Sequence, residues 1–204
     1  MITELFTKGY DSQNEDYCKV VEFDGCTLVT MADGMGGLSL GADAAECVCN
    51  SISEYVSRNL NVESHLEDAF RYADCKLHEV SIANHSNMGA AVTSLIVTDN
   101  VCEMAWQGNV RLYLLRDNHL QQLTNDHTMD IGYGQKKLTR CLKGGGLRGD
   151  VPTLKVPLLA DDTLYLCTDG FYNTHEQVLL SGNIGLISDD NFADDATCMI
   201  IKLK

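Results

Sequence analysis

The sequence has few of the residues that stiffen a chain, and it has no long apolar run. Among 204 residues there are two prolines, Pro152 and Pro157, and one tryptophan. The absence of a run of about 18 apolar residues excludes a membrane-spanning helix. Residues 1–10 lack the basic and apolar regions of a secretory signal. We therefore expect a cytoplasmic protein that does not enter a membrane.

Positive charge is scarce as well. The 15 Lys and Arg residues stand against 29 Asp and Glu residues, which gives a formal net charge of −14. Such a chain repels nucleic-acid backbones and anionic membrane surfaces, so we expect neither as a partner. Two explanations of the acidity stay open at this point. One is simple solubility, and the other is that some carboxylates act as metal ligands and are neutralised in use.

Several catalytic and binding motifs are missing. The nine cysteines include no CxxC pair and form no disulfide framework. This pattern is typical of reduced thiols in a cytosolic protein and argues against a structural zinc site. Cys141 and Arg148 do not have the spacing of a cysteine-dependent phosphatase. The glycines at 144–146 are not followed by the Lys and Ser/Thr of a phosphate-binding loop.

The chain does contain a clear succession of strand and helix patterns. Asp24-Gly25 predicts a hairpin turn, apolar spacing predicts a helix over 41–59, and Ser64 with Glu67 forms a capping box for a second helix. The expected strands cover 17–23, 26–32, 90–98, 101–106, 111–115, 120–124, 163–168 and 196–203, with an irregular segment over 129–151 and a short helix over 176–181. Short turns between strands imply antiparallel sheets, so we expect one α+β domain over residues 1–204.

Acidic residues stand where several of these apolar strands begin or stop. They are Glu15 and Asp16 before the first strand, Asp33 after the second, Asp169 after 164–168, and Asp194 and Asp195 before the last. Carboxylates at strand ends are rigidly aimed, and hard cations such as Mg²⁺ and Mn²⁺ prefer oxygen ligands. Several acids sharing a site need a cation, because their repulsion otherwise raises their pKa values. One Asp-Gly pair alone is an ordinary turn, but the joint pattern indicates a metal site.

An ordered set of short motifs covers nearly the whole chain. The motifs are Asn14-Glu15-Asp16, Ala32-Asp33-Gly34-Met35-Gly36-Gly37, Gly89-Ala90-Ala91, Gly108-Asn109-Val110-Arg111-Leu112-Tyr113-Leu114, Gln122-Leu123-Thr124-Asn125-Asp126-His127-Thr128, Leu138-Thr139-Arg140, Cys167-Thr168-Asp169-Gly170 and Asp194-Asp195-Ala196-Thr197. In this order they resemble the metal-dependent serine/threonine protein phosphatases of type 2C, and the chain resembles a small bacterial member of that family.

The resemblance implies a fold and a site. The fold is a sandwich of two antiparallel β-sheets flanked by α-helices on both faces, with a binuclear metal centre at one end. Matched by motif, the implied metal ligands are Asp16, Asp33, Gly34 through its carbonyl oxygen, Asp169 and Asp194, with Glu15 acting through water. Asp33 would bridge the two ions, Asp169 and Asp194 would bind one of them, and these three aspartates would be the catalytic residues.

The implied activity is metal-dependent hydrolysis of phosphoserine and phosphothreonine in proteins. Two divalent cations, Mn²⁺ or Mg²⁺, would clamp the phosphate and activate a bridging water that attacks phosphorus in line with the leaving oxygen. The implied partners are phosphorylated proteins, including a cognate serine/threonine kinase or its targets. The alternative is a catalytically weak or inactive module of the same fold that binds a phosphoprotein or a regulatory partner.

The chain departs from the family pattern at two positions near the implied site. Asp11 stands where many members carry an arginine that grips phosphate, so we expect weaker substrate binding unless Lys8 or Lys19 substitutes. A second interpretation is that Asp11 caps a turn and points to solvent. Asn109 replaces an aspartate associated with a third metal and offers a neutral oxygen instead, so that third ion is expected to be weak or absent.

Two further departures affect the substrate side and the last motif. The flap that relatives place near 129–150 is shortened, and Tyr133 with the Gly144–Gly146 run is expected to form a reduced, mobile replacement. The substrate-binding residues therefore stay unassigned. Asp195 stands where the family usually has asparagine, and the spacing to Thr197 favours Asp194 as the ligand.

Overall fold

Two antiparallel sheets of five strands each form the centre of this computed structural model, which describes residues 2–10, 13–35, 40–60, 66–181, 187 and 192–203. The strands are β1 (Ile2–Lys8), β2 (Asp16–Phe23), β3 (Cys26–Met35), β4 (Gly89–Val97), β5 (Val101–Gln107), β6 (Arg111–Arg116), β7 (His119–Gln122), β8 (Thr128–Gly132), β9 (Gln135–Leu138), β10 (Thr153–Pro157), β11 (Thr163–Cys167) and β12 (Ala196–Lys202). The helices are α1 (Gly41–Arg58), α2 (Leu66–Ala83), α3 (Asp169–His175) and α4 (Val178–Ser181). The first sheet has the order β10-β5-β4-β3-β2 and the second the order β1-β12-β11-β6-β7, while β8 and β9 form a separate hairpin.

Alternating side chains fill the space between the two sheets. In β3, Val29 and Met31 pack with Leu112 of β6 and Leu166 of β11. Leu28, one position away, belongs instead to the core between the first sheet and the helices. This separation follows because successive side chains of a strand point to opposite faces of the sheet.

Helices cover the outer face of each sheet. Ile52 of α1 and Phe70 of α2 are buried against the first sheet. On the other side, Phe171 of α3 is buried with Tyr165 of β11 and Ile200 of β12. The layers therefore run helix, sheet, sheet, helix, which confirms the expected sandwich of two antiparallel sheets flanked by helices on both faces.

Several expected elements are present with slightly shifted ends. The Asp24-Gly25 turn joins β2 to β3, and Gly25 has a φ of 82°, a left-handed conformation that glycine adopts without strain. α1 ends at Arg58, one residue before the expected end. Ser64 lies outside the described residues, so its part in a capping box stays a prediction. β3 continues past Ala32 because it is paired on both sides, with β2 and with β4.

The sequence patterns do not predict β1, β10 or the β8–β9 hairpin. β1 and β10 each lie at one edge of a sheet, and their largely exposed side chains give no clear alternation. The hairpin is exposed along most of its length, so the segment 129–151 is only partly irregular. The helix expected over 176–181 is α4, and the seven-residue α3 before it is too short to show a helical period.

No helix among the residues that the structure describes is long and apolar enough to cross a bilayer. All nine cysteines are free thiols. Cys167 and Cys198 face each other across β11 and β12, and their sulfur atoms are 3.4 Å apart without a covalent bond.

A single buried carboxylate holds the loop after β9 to α2. Asp74 is 4% exposed and accepts hydrogen bonds from the backbone N–H groups of Lys143 at 3.0 Å, Gly144 at 2.8 Å and Gly146 at 2.8 Å. Gly144 has a φ of 71°, and a side chain there would meet the backbone of His78 in α2. The Gly144–Gly146 run therefore lies against the helical layer.

We predict that Asp74→Ala lowers the free energy of unfolding by about 2–4 kcal/mol, because three backbone donors lose a charged acceptor. Asp74→Asn keeps one of the two accepting oxygens and should have about half of that effect. Urea unfolding followed by circular dichroism measures both. Asp99→Asn, in the exposed turn before β5, is the matched control, and a loss for Asp74→Ala no larger than the control's would contradict the prediction.

Candidate metal centre

Two aspartates reach one end of the sandwich from the first sheet. Asp16 is the first residue of β2 and pairs directly with Asp33 in β3. Asp33 also continues the row of Val29 and Met31, whose side chains face the second sheet. The apolar core between the sheets therefore ends in carboxylates on this side.

Two further aspartates come from the second sheet. Asp169 is the first residue of α3 and follows β11, while Asp194 lies just before β12. Because β11 and β12 are antiparallel neighbours, the end of one lies beside the start of the other. Asp33, Asp169 and Asp194 line one cavity of about 470 Å³, which we call the acidic cavity.

Hydrogen bonds fix the orientation of two of these carboxylates. The Thr168 hydroxyl, at the end of β11, donates to Oδ2 of Asp16 at 2.8 Å and so links the two sheets. The Nδ2 group of Asn109 donates to Oδ2 of Asp169 at 3.0 Å. Asn109, which the sequence places beside the metal site, is thus in direct contact with a predicted ligand.

The electrostatics of the acidic cavity disfavour four separate negative charges. Burial, followed by the charges of Asp169, Asp16 and Asp194, raises the pKa of Asp33 well above its usual range. Burial also raises the pKa of Asp16 to about 7. The pKa of Asp169 is raised by burial and then by Asp194, and the Asp33 carboxyl shares a hydrogen bond with Asp169. The cluster therefore favours the neutral form of its carboxyl groups, or a cation among them.

The carboxylates that meet at this end of the sandwich have the chemistry that a hard divalent cation requires. All of the converging side chains offer oxygen, which Mg²⁺ and Mn²⁺ prefer. Among the described residues, no three His, Cys, Asp or Glu side chains are already arranged to hold an ion.

Gly34 and Glu15 connect the acidic cavity to the start of α1. The Gly34 N–H donates to the Glu15 carbonyl at 3.1 Å, and a side chain at position 34 would overlap the Gly41 carbonyl. The Glu15 carboxylate accepts a hydrogen bond from the Gly41 N–H, while burial and the charge of Asp195 raise its pKa. The Glu15 side chain is thus directed at the start of α1. That Glu15 contacts a metal ion through water, and that Gly34 binds one through its carbonyl oxygen, stay predictions.

The neighbouring Asp194 and Asp195 have different surroundings. The Asp195 carboxylate accepts backbone hydrogen bonds from Tyr10 and Glu15, both at 2.7 Å, and ties the N-terminal segment to the loop before β12. Asp194 accepts the N–H of Asp195 at 2.9 Å, and it lines the cavity. This arrangement agrees with the choice of Asp194 as the candidate ligand.

The structure adds an arginine network that the sequence interpretation left unassigned. Arg111 makes a bidentate pair with Asp126, at 2.9 and 2.7 Å, and its guanidinium lies 3.7 Å from the ring centre of Tyr172. The Tyr172 hydroxyl donates to the Asn109 carbonyl at 3.0 Å. Arg111 and Asp126 each belong to a motif quoted above, which could have identified them, but their pairing and the position of Tyr172 follow only from the fold.

Lys136 of β9 also lines the acidic cavity, and no sequence motif marks it. It forms no ion pair with a carboxylate within the described parts of the chain. Asp11 lies outside the described residues. Of the lysines considered as substitutes for the missing arginine, Lys19 donates to Asn50 at 2.6 Å, on the α1 side of β2, and Lys8 is the last residue of β1.

Comparisons with known proteins agree with the geometry. The model of a family described as protein phosphatase 2C matches residues 9–194. The serine/threonine phosphatase stp of Listeria welshimeri is 28% identical over 183 residues, which cover 78% of this chain and 73% of that protein. The crystal structure of the Mycobacterium tuberculosis serine/threonine phosphatase PstP/Ppp superposes with a TM-score of 0.82 at 20% identity, covering 100% of this chain and 98% of that one. A PstP catalytic domain in complex with two manganese ions gives a TM-score of 0.77 at 21% identity, covering 98% and 96%.

We predict that the metal-free protein loses stability as pH rises from about 4 to about 7. The raised pKa of Asp16, about 7 against an ordinary 3.8, means that the folded state binds protons which the unfolded state has released, so deprotonation favours unfolding. Asn at position 33 is neutral in both the folded and the unfolded state, so Asp33→Asn removes the cost of either burying a charge or taking up a proton there. It should raise the metal-free Tm at pH 8 by about 2–4 °C, the effect of about 1 kcal/mol in a chain of this size.

Mn²⁺ should raise the Tm of the unsubstituted protein at pH 8 and have a smaller effect on Asp33→Asn, because the ion loses a charged ligand. Thermal unfolding with chelator and with Mn²⁺ measures each quantity, with Asp99→Asn as the control. A metal-free Asp33→Asn protein that is less stable than the control would show that the carboxylates do not repel one another in the folded state.

Proposed function

This chain belongs to the protein phosphatase 2C family, and we propose that it removes phosphate from phosphoserine and phosphothreonine in proteins with two divalent cations, Mn²⁺ or Mg²⁺. The observation that supports this most directly is the meeting of Asp16, Asp33, Asp169 and Asp194 at one end of the sandwich. Asp16, Asp33 and Asp169 are half-buried and Asp194 is exposed, and the repulsion among them makes a cluster that favours multivalent cations.

In this proposal Asp33, Gly34, Asp16, Asp169 and Asp194 hold the cations, and Glu15 and Asn109 act through water. When bound, the two cations supply Lewis-acid stabilisation of the phosphate and lower the pKa of a water between them. The chain's own contribution is to hold the oxygens in place. Thr168 orients Asp16 and Asn109 orients Asp169, so little reorganisation is needed when charge develops on the transferring phosphate.

Lys136 is the residue that we assign to phosphate binding. It lines the acidic cavity opposite the carboxylates, where a free ammonium group can contact a phosphate oxygen as a point charge. Arg111 is less suited to this role, because its guanidinium is already engaged by Asp126 and stacked on Tyr172. Lys136 would thus supply the positive charge that the family places at the position of Asp11.

A second candidate function is a phosphoprotein-binding module with weak or no catalysis. The observation that favours it is the hydrogen bond from Asn109 to Asp169, which occupies an oxygen that a cation would otherwise use. Retention of Asp33, Asp169 and Asp194 favours the enzyme, because a binding module does not need the full set of ligands.

The proposal also covers the location of the protein, its partners and the role of the segment 129–150. We place the protein in the cytoplasm, where nine free thiols stay reduced, and we take its partners to be phosphorylated proteins, among them a cognate serine/threonine kinase or its targets. We also treat the chain as one catalytic domain in which the segment 129–150, beginning with the β8–β9 hairpin, acts as a shortened flap.

We predict that the protein releases phosphate from a phosphothreonine peptide with Mn²⁺ and not with chelator. Asp33→Asn should lower kcat/KM by about a thousandfold, because stabilisation by a metal is worth several kcal/mol. Asp99→Asn should leave activity unchanged. Bound Mn²⁺ without any turnover, measured by calorimetry beside the phosphate assay, would favour the binding module.

A second prediction uses two neighbouring lysines of β9 whose side chains point to opposite faces. Lys136→Ala should raise KM for a phosphothreonine peptide with neutral flanks by about tenfold, the loss expected from one charge-assisted contact of about 1.4 kcal/mol. Lys137→Ala is the matched control and should leave KM for that peptide unchanged. Equal effects of the two substitutions would argue against a specific contact of Lys136 with phosphate.

A further inference from the structure

A second cavity lies beside the acidic cavity, on the other side of the β8–β9 hairpin. It has a volume of about 600 Å³ and is lined by Lys137, Arg140, Lys143 and Arg148 together with Met129 and other residues of 137–148. We call these four cations and the space between them the basic cleft. Leu138 lines both cavities, so the two are direct neighbours.

The hairpin separates the two cavities through the alternation of its side chains. Thr128 and Lys136 line the acidic cavity, whereas Met129 and Lys137 line the basic cleft. Met129 and Lys137 are cross-strand partners, as expected for residues that share one face of a two-stranded ribbon. The β8–β9 hairpin therefore forms a wall of both the acidic cavity and the basic cleft.

The charged side chains that line the basic cleft are all positive. Its lining contains four of the chain's 15 Lys and Arg residues and no Asp or Glu. None of the four forms an ion pair with a described carboxylate, in contrast to the other surface pairs Arg58–Glu54, Arg71–Glu67, Lys76–Glu79, Lys155–Glu103 and Lys202–Glu4. In a chain with a net charge of −14, such a cluster indicates a surface for an anionic ligand.

The cations also stand on a fixed support. Lys143 follows Leu142, which pairs with Ala90 of β4, and the backbone N–H of Lys143 is held by Asp74 of α2. Lys137 is held by the hairpin register, and one guanidinium nitrogen of Arg140 donates to the Asp150 carbonyl at 3.4 Å. The basic side chains thus project from anchored backbone, which reduces the ordering that a ligand must impose.

We propose that the basic cleft binds acidic groups that flank the phosphoresidue of the protein substrate, either Asp and Glu side chains or a second phosphate. The inference rests on the proposed phosphatase function and names its substrate class. A peptide whose phosphate enters the acidic cavity extends over the hairpin at about 3.3 Å per residue, and residues a short distance along it reach the cleft. The cleft offsets locally the repulsion between an acidic substrate and this acidic chain.

The test compares phosphothreonine peptides that differ only in their flanks. One has neutral flanks, one has glutamates on the amino side, one has glutamates on the carboxyl side, and one carries a second phosphoserine. Each is assayed with Mn²⁺ on the full chain, on Lys137→Glu/Arg148→Glu, and on Arg58→Glu/Lys76→Glu. The last variant makes the same change of charge on α1 and α2, away from the cleft.

We expect the unsubstituted protein to prefer one acidic peptide over the neutral one by roughly tenfold in kcat/KM, as two exposed charge pairs allow. The preference should appear as a lower KM for the acidic peptide and should weaken with added salt. The cleft variant should lose this preference and keep its activity on the neutral peptide. The control variant should retain the preference. A stronger preference for the doubly phosphorylated peptide would identify a second phosphate as the source, and a stronger preference for the glutamate peptides would identify carboxylates.

The inference is overturned if all peptides are hydrolysed alike, or if the cleft and control variants respond in the same way. Absence of turnover with every peptide would count against the proposed function instead. Fluorescence anisotropy of the labelled peptides on the same three proteins then tests the cleft by itself, and equal affinity for acidic and neutral peptides would refute it.

Discussion

The crowding of four carboxylates at the end of the core is the constraint on which this part of the structure depends. β3 delivers Val29, Met31 and then Asp33 to the same face, so the row that builds the core between the sheets ends in a carboxyl group. Desolvation and the neighbouring charges raise the pKa of Asp33 well above its usual range. The cluster therefore favours bound protons or cations, and the stability of this end of the sandwich depends on which of them are present.

Contacts around the cluster serve to keep its oxygens in place. Thr168 reaches across the sheets to Asp16, and Asn109 holds Asp169. Asp195 ties the N-terminal segment to the loop that carries Asp194. These groups make the site a property of several elements at once, because Asp16 and Asp169 are each oriented by a partner from a different part of the chain.

The β8–β9 hairpin gives this small chain two adjacent spaces of opposite charge. The acidic cavity on one side collects the groups suited to cations, and the basic cleft on the other collects Lys and Arg side chains. Alternation along a strand is enough to place Lys136 in one space and Lys137 in the other. The hairpin therefore separates a space suited to cations from a space suited to anionic groups without additional structure.

The sequence by itself determined the parts that depend on local order and on motifs. Apolar alternation and Asp-Gly pairs along the chain indicated a layered α+β arrangement, the Asp24-Gly25 turn and the acids at strand ends, while the sandwich of two sheets was implied by the resemblance to a family. The sequence did not indicate β1 or β10, whose exposed side chains leave them without a clear pattern, or the exposed hairpin. Only the tertiary structure decided that Asp33 lies within β3, that Asp126 and Tyr172 surround Arg111, and that four cations from 137–148 gather beside the acidic cavity. Those relations join residues far apart in sequence, and they arise from packing and sheet register, which no local spacing specifies.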